Sequence, residues 1–95
     1  MTRVVWKYPL TKPEMLLQVP EPGIVRTVAW QHDNPTLWIE VDPDKVRRER
    51  LFYVMATGQE FALSTVYGDL IYVGSAVSDS LVFHVYEVPG GSVGE

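Results

Sequence analysis

No cysteine occurs among the 95 residues of this chain, which excludes disulfide staples, zinc–thiolate sites and thiol catalysis. Cations are also in short supply. Eight Lys and Arg stand against twelve Asp and Glu, a net charge of −4 that argues against a nucleic-acid partner, since such proteins carry a basic stripe. No apolar run approaches the roughly 20 residues needed to span a bilayer, so no membrane partner is expected. Lys7 and Pro9 interrupt the first ten residues, which therefore lack the apolar core of a signal peptide. The expectation is a soluble, cytoplasmic protein held together by packing alone.

Motifs that announce an enzyme are missing too. There is no phosphate-binding glycine loop, no nucleophile elbow and no carboxylate pair on an identifiable scaffold. Nothing calls for a metal or a cofactor. His32-Asp33 superficially matches the pair of metal-dependent phosphohydrolases, but those enzymes are helical and need further histidines, and His84 is the only other one here. Asp42-Pro43-Asp44 is better read as a proline turn, with the chance of capping one helical turn, than as a metal motif. Lys45, Arg47, Arg48 and Arg50 form the one basic cluster. It is flanked by Asp42, Asp44 and Glu49, as a solvated loop entering an edge strand would be.

What the chain does contain is extended structure. Hydrophobic residues make up 46% of it, with three Trp and five Tyr, a composition that favours strands around a bulky core. Strands are expected over residues 3–8, 15–19, 24–31, 36–41, 49–57, 70–74 and 81–88, with 61–66 a loop of some strand character. Thr11-Lys12-Pro13-Glu14 fits a capping box, yet the apolar run after it is five residues long and closes on Pro20, so a helix is rejected. Glu21-Pro22-Gly23 suits a type II turn with Pro22 and Gly23 as its two central residues. His32-Asp33-Asn34-Pro35 reads as the turn of a hairpin, in whose second arm Leu37, Ile39 and Val41 share one face and Trp38, Glu40 and Asp42 the other. Short, regularly spaced strands predict one all-β domain over residues 1–88, a small antiparallel sandwich or partly open barrel of six to seven strands. Residues 89–95 form a glycine-rich tail. Its edge strands would be free to pair with a second copy or a partner.

Candidate sites follow from this frame. The last strand is apolar on both faces, with Leu81, Phe83 and Val85 on one and Val82, His84, Tyr86 and Val88 on the other, so both faces should be covered. His84 is then a base, a ligand or a polar anchor in a pocket, although a core histidine with both nitrogens hydrogen-bonded is the simpler reading. Trp38 shares a face with acidic residues and should be partly exposed. With Trp6, Tyr8 and Trp30 near it, it would make the best binding feature. Thr57-Gly58 and Val73-Gly74-Ser75 each end a strand on glycine, which offers backbone N–H groups to an anion, although a glycine that lets the chain turn is the simpler reading.

The order of these segments resembles a family of small, mostly uncharacterised bacteriophage proteins. The shared pattern is Lys7-Tyr8-Pro9-Leu10, a proline–glycine turn, Gln31 with Leu37-Trp38 and Val41-Asp42, Thr57-Gly58, and the closing Val82-Phe83-His84-Val85-Tyr86-Glu87. Ala56 stands where the family's G-T-G segment begins with glycine, Gly74-Ser75 replaces G-T, and Gln59 takes the place of a histidine. The resemblance spans residues 3–88 and implies a phage or prophage origin without supplying an activity. The combined expectation is a non-catalytic accessory protein that sequesters or inhibits a host protein or a small signalling or nucleotide ligand. Its binding residues are expected among Trp38, His84, Tyr86, Tyr8, Gln31, Thr57 and Gly58. A structural or assembly role in the virion is the alternative, and a small enzyme using His84 with Glu87 or Glu40 is the remaining one.

Overall fold

Residues 1–61 and 70–89 are described by the structure, a computed structural model. Strand and turn chemistry alternate as the sequence leads one to expect, giving β1 (Val4–Pro9), β2 (Glu14–Pro20), β3 (Ile24–Gln31), β4 (Asn34–Val41), β5 (Arg47–Ala56), β6 (Ile71–Ser78) and β7 (Leu81–Glu87). They form two open antiparallel sheets, a three-stranded one in the order β1-β4-β3 and a four-stranded one in the order β2-β5-β7-β6. Among the described residues there is no helix, and so none long and apolar enough to cross a membrane.

The alternation in β4 decides how the sheets face each other. Leu37, Ile39 and Val41 are 0% exposed and meet Phe52 and Val85 of the other sheet in one core with Leu17 and Val19. Trp38 and Glu40 take the opposite face and are half-buried. Removing a fully buried ring such as Phe52 would cost about 3–5 kcal/mol, because the cavity left behind cannot collapse fully.

Several local expectations change. The β3–β4 turn has two residues rather than four: His32 and Asp33 both lie in the left-handed region (φ 49° and 68°), as a tight hairpin requires. Asn34 and Pro35 belong to β4. Gln31 and Asn34 flank the turn as its hydrogen-bonded pair, so Trp30 and Pro35 are the next, non-bonded pair, and the ladder to β3 asks no N–H of the proline. The Pro35 carbonyl accepts from Leu10 N at 2.8 Å. No helical turn follows Asp42. Instead its carboxylate accepts the Asp44 N–H at 3.0 Å and its carbonyl accepts the Lys45 N–H at 3.0 Å, closing a β-turn.

Gly74 does not end a strand. β6 runs on to Ser78, and Gly74 lies beside a bulge between Tyr72 and Gly74, where the register against β7 shifts by one residue. A Cβ at Gly74 would stand 2.9 Å from Val28 Cγ2, so the missing side chain lets β6 approach β3 of the other sheet. The turn at Glu21-Pro22-Gly23 is present with Gly23 at φ 61°, and the Glu21–Pro22 peptide is cis. The loop expected at 61–66 lies outside the described residues from 62 onward, as does the tail from residue 90.

Candidate functional site

β7 lies between β5 and β6, and its alternation splits its side chains between two environments. Phe83 and Val85 turn inward, where Val85 is fully buried and Phe83 stacks on Trp30 of β3 with ring centroids 5.3 Å apart and planes inclined by 16°. Val82, His84 and Tyr86 turn outward. Full cover on both faces of this strand is therefore not what the structure has: these three are half-buried. Across the ladder, Met55 and Ser75 flank His84, while Tyr53 and Tyr72 flank Tyr86.

His84 is held by two hydroxyls. Thr57 Oγ1 lies 2.8 Å from His84 Nε2, and Tyr72 Oη lies 3.2 Å from Nδ1. Thr57 also donates its hydroxyl proton to the Val82 carbonyl at 3.2 Å. A hydroxyl has one proton, so His84 Nε2–H is left to donate to Thr57 Oγ1, while the Tyr72 hydroxyl holds Nδ1. The network runs from the imidazole through Thr57 to a backbone carbonyl, with Tyr72 on the other ring nitrogen. Thr57 is placed for this by its own N–H on Val82 O at 3.0 Å, and Gly58 turns the chain away at φ 85°.

Aromatic rings extend the site. Tyr72 meets Tyr86 edge-on at 5.3 Å, Phe61 tilts onto Tyr86 at 5.7 Å, and Tyr72 tilts against the imidazole at 6.0 Å. Among the residues expected to bind, the structure thus brings together His84, Tyr86, Thr57 and Gly58. It does not bring the other three there. Trp38 lies on the outer face of the opposite sheet between Lys7 and Thr27, and Gln31 sits at the β3–β4 hairpin mouth. Tyr8 and Trp6 pair with Leu37 and Ile39, on the core side, so neither is beside Trp38, and Trp30 is committed to Phe83. The Tyr8 hydroxyl is buried and has no hydrogen-bond partner among the described residues. Burial raises its pKa, opposed by the nearby Arg47 and Arg50.

Tyr72 and Phe61 were missed by sequence reasoning. Counting back from the β6–β7 turn in unbroken register would set Val73 opposite Tyr86. The bulge sends Val73 against the core and puts Tyr72 beside His84 instead. The basic cluster is largely spent on structure: Arg47 lies 5.5 Å over the Trp6 ring, Arg48 pairs with Glu21 at 3.2 Å, and Arg50 grips Glu87 at 2.6 and 2.9 Å while donating to the Gly23 carbonyl. Glu40 takes Arg3 at 2.7 Å and Arg26 at 2.9 Å. Hydrogen bonds from these two guanidiniums hold its carboxyl below the usual range. Among the described residues no three His, Asp or Glu side chains gather in a way that would hold a metal ion.

These features define a two-sheet all-β domain with an outward aromatic–histidine face. The chain belongs to the DUF7352 family, a domain of unknown function whose family model matches residues 1–93. No curated protein and no solved structure matches it.

Proposed function

We propose that this is a non-catalytic binding protein, encoded by a phage or prophage, that acts in the host cytoplasm by capturing a host protein on the outer face of its four-stranded sheet. One observation carries the reading. An antiparallel sheet with a solvated side normally presents polar residues there. Here Leu16, Phe61, Tyr72 and Val77 are 42 to 62% exposed, and Tyr86 and His84 lie among the aromatics. Exposed aromatic clusters on a rigid scaffold are the usual anchors of protein interfaces. Glu14 and Glu49 stand on the β2–β5 side of the face, favouring a partner with a basic border.

The arrangement of His84 supports binding over catalysis. Both ring nitrogens are engaged by hydroxyls. The carboxylates that could have served it are held elsewhere, Glu87 by Arg50 and Glu40 by Arg3 and Arg26 on the other sheet. A second reading, assembly into the virion or self-association, is favoured by one feature: β6 is an edge strand with Ile71 52% exposed and Val77 62% exposed.

The test places a photo-crosslinking phenylalanine analogue at position 72 in infected cells, with position 5, exposed on the opposite sheet, as control. A single host protein crosslinked from 72 and absent from 5 is the expected result. Crosslinks to capsid proteins or to the chain itself would instead establish the second reading. Equal, diffuse crosslinking from both positions would refute the interface altogether.

A further inference from the structure

A cleft of about 250 Å³ opens between the two sheets at the end away from the Arg50–Glu87 pair, and it is a different surface from the His84 face. Its walls are apolar and include the Trp30–Phe83 stack, Leu10, Pro35 and Val54. Its rim is polar and made by Thr11, Lys12, Asn34 and Gln59. Among the described residues no carboxylate lines it, although the chain carries twelve Asp and Glu, and Lys12 is the one cation that does.

The rim is built rather than loose. The segment bearing Lys12 is fastened on both sides, by Leu10 N–H on Pro35 O and by Val54 N–H on Pro13 O, each 2.8 Å. Gln59 is pinned through its own acceptor: Ala56 N–H donates to Gln59 Oε1 at 3.0 Å, and the Gln59 N–H returns to Ala56 O at 3.0 Å. Its amide NH₂ therefore keeps both protons for a ligand. Asn34 spends Nδ2 on the His32 carbonyl at 3.1 Å and keeps its side-chain oxygen as an acceptor.

We propose that this cleft binds a flat aromatic ring carrying one anionic group, with the ring against the Trp30–Phe83 stack and the anion at Lys12 and Gln59. The volume is below the roughly 300 Å³ at which drug-sized pockets begin, so one ring system fits and an extended dinucleotide does not. Flat apolar walls select the ring, Lys12 on a rim with no carboxylate among the described residues selects the charge, and the anchored rim lowers the ordering cost of binding.

The experiment is titration by ¹H–¹⁵N NMR, following the indole N–H of Trp30, with indole-3-carboxylate and adenosine 5′-monophosphate beside the uncharged indole and adenosine. A charged probe should bind about tenfold more tightly than its neutral parent, as one charge contact of ordinary strength gives. Lys12→Ala should erase that advantage, and Lys7→Ala, which removes an equal charge from the outer face of β1, should leave it intact. Preference for the carboxylate or for the phosphate probe identifies the anion. The proposal is overturned if charged and neutral probes bind alike, if neither shifts the Trp30 signal at millimolar concentration, or if Lys7→Ala has the same effect as Lys12→Ala. The outcome is independent of whether a host protein docks on the His84 face.

Discussion

Adding one methyl group at Gly74 should separate packing from register in this fold. The Cβ of Gly74→Ala would lie 2.9 Å from Val28 Cγ2 and 3.2 Å from Val28 Cβ. Comfortable carbon–carbon contacts lie near 3.5–4.0 Å, so β3 and β6 must part or Val28 must leave its rotamer. Overpacking of this kind costs about 1–3 kcal/mol. The backbone at Gly74 is not left-handed, so alanine also removes about 0.4–1 kcal/mol of unfolded-state entropy, which works the other way. The net expectation is a loss of about 1–2 kcal/mol, read as a lower urea midpoint at unchanged slope and a melting temperature lower by about 5–15 °C. The decisive comparison is the same substitution in a Val28→Ala background. There the Cγ2 obstruction is gone and only the 3.2 Å contact with the residue 28 Cβ remains, so Gly74→Ala should cost about 1 kcal/mol less than in the native background. Equal destabilisation in both backgrounds would refute the steric account, as would no effect in the native background.

Three further perturbations test other parts of the structure. Tyr8→Phe removes a buried hydroxyl that has no partner among the described residues, so it should raise stability by about 1 kcal/mol in urea unfolding. Burial also raises the Tyr8 pKa, and such a group contributes stability that is present below its ordinary value of 10.0 and lost as pH rises through the folded value. The advantage of the phenylalanine variant should therefore widen in alkali, and a constant difference would contradict it. Asp33→Gly, at φ 68° in the two-residue hairpin turn, should stabilise by about 0.5–1 kcal/mol in the same assay, because glycine adopts that conformation freely. Glu40, whose pKa is lowered by Arg26 and Arg3, contributes stability that is present above its ordinary value of 4.5 and lost as pH falls through the folded value. The urea midpoints of the native protein and Glu40→Gln should thus converge in acid. A gap that grows as pH falls would reverse the sign.

The parts of the fold legible in the sequence are those set by one strand at a time. Leu37, Ile39 and Val41 declare the core face of β4 by alternation alone, and all three are fully buried. What depended on pairing was not legible. Pro35 looks like a turn residue until the non-bonded position opposite Trp30 excuses its missing N–H. Gly74 looks like a strand end until the nearness of Val28 shows why no side chain fits. The same limit applies to the candidate site. The two nitrogens of His84 are satisfied from 27 and 12 residues away in sequence, by Thr57 and Tyr72, and the second of these reaches the ring only because of the bulge. Trp38 looked like a neighbour of Tyr8 and Trp6, yet register with β1 sets Lys7 opposite Trp38 and turns both aromatics to the core side.

The outer face and the cleft are separated by a single step along the chain, which follows from the period-two geometry of strands. Phe83 faces inward to Trp30 and its neighbour His84 faces outward to Thr57 and Tyr72. The segment after β5 serves both. Thr57 donates its backbone N–H and hydroxyl to Val82, holding the hydroxyl under His84, while two residues on Gln59 is clamped to Ala56 at the rim of the cleft. Ala56 is itself paired with Phe83 across the β5–β7 ladder. A displacement of Thr57 large enough to free His84 would therefore pull on the same short loop that fixes the Gln59 amide. Gly58, between the two, takes at φ 85° the left-handed position of the β-turn that the Gln59 N–H closes on Ala56 O, and this turn carries the chain from the His84 side of the sheet end to the cleft rim.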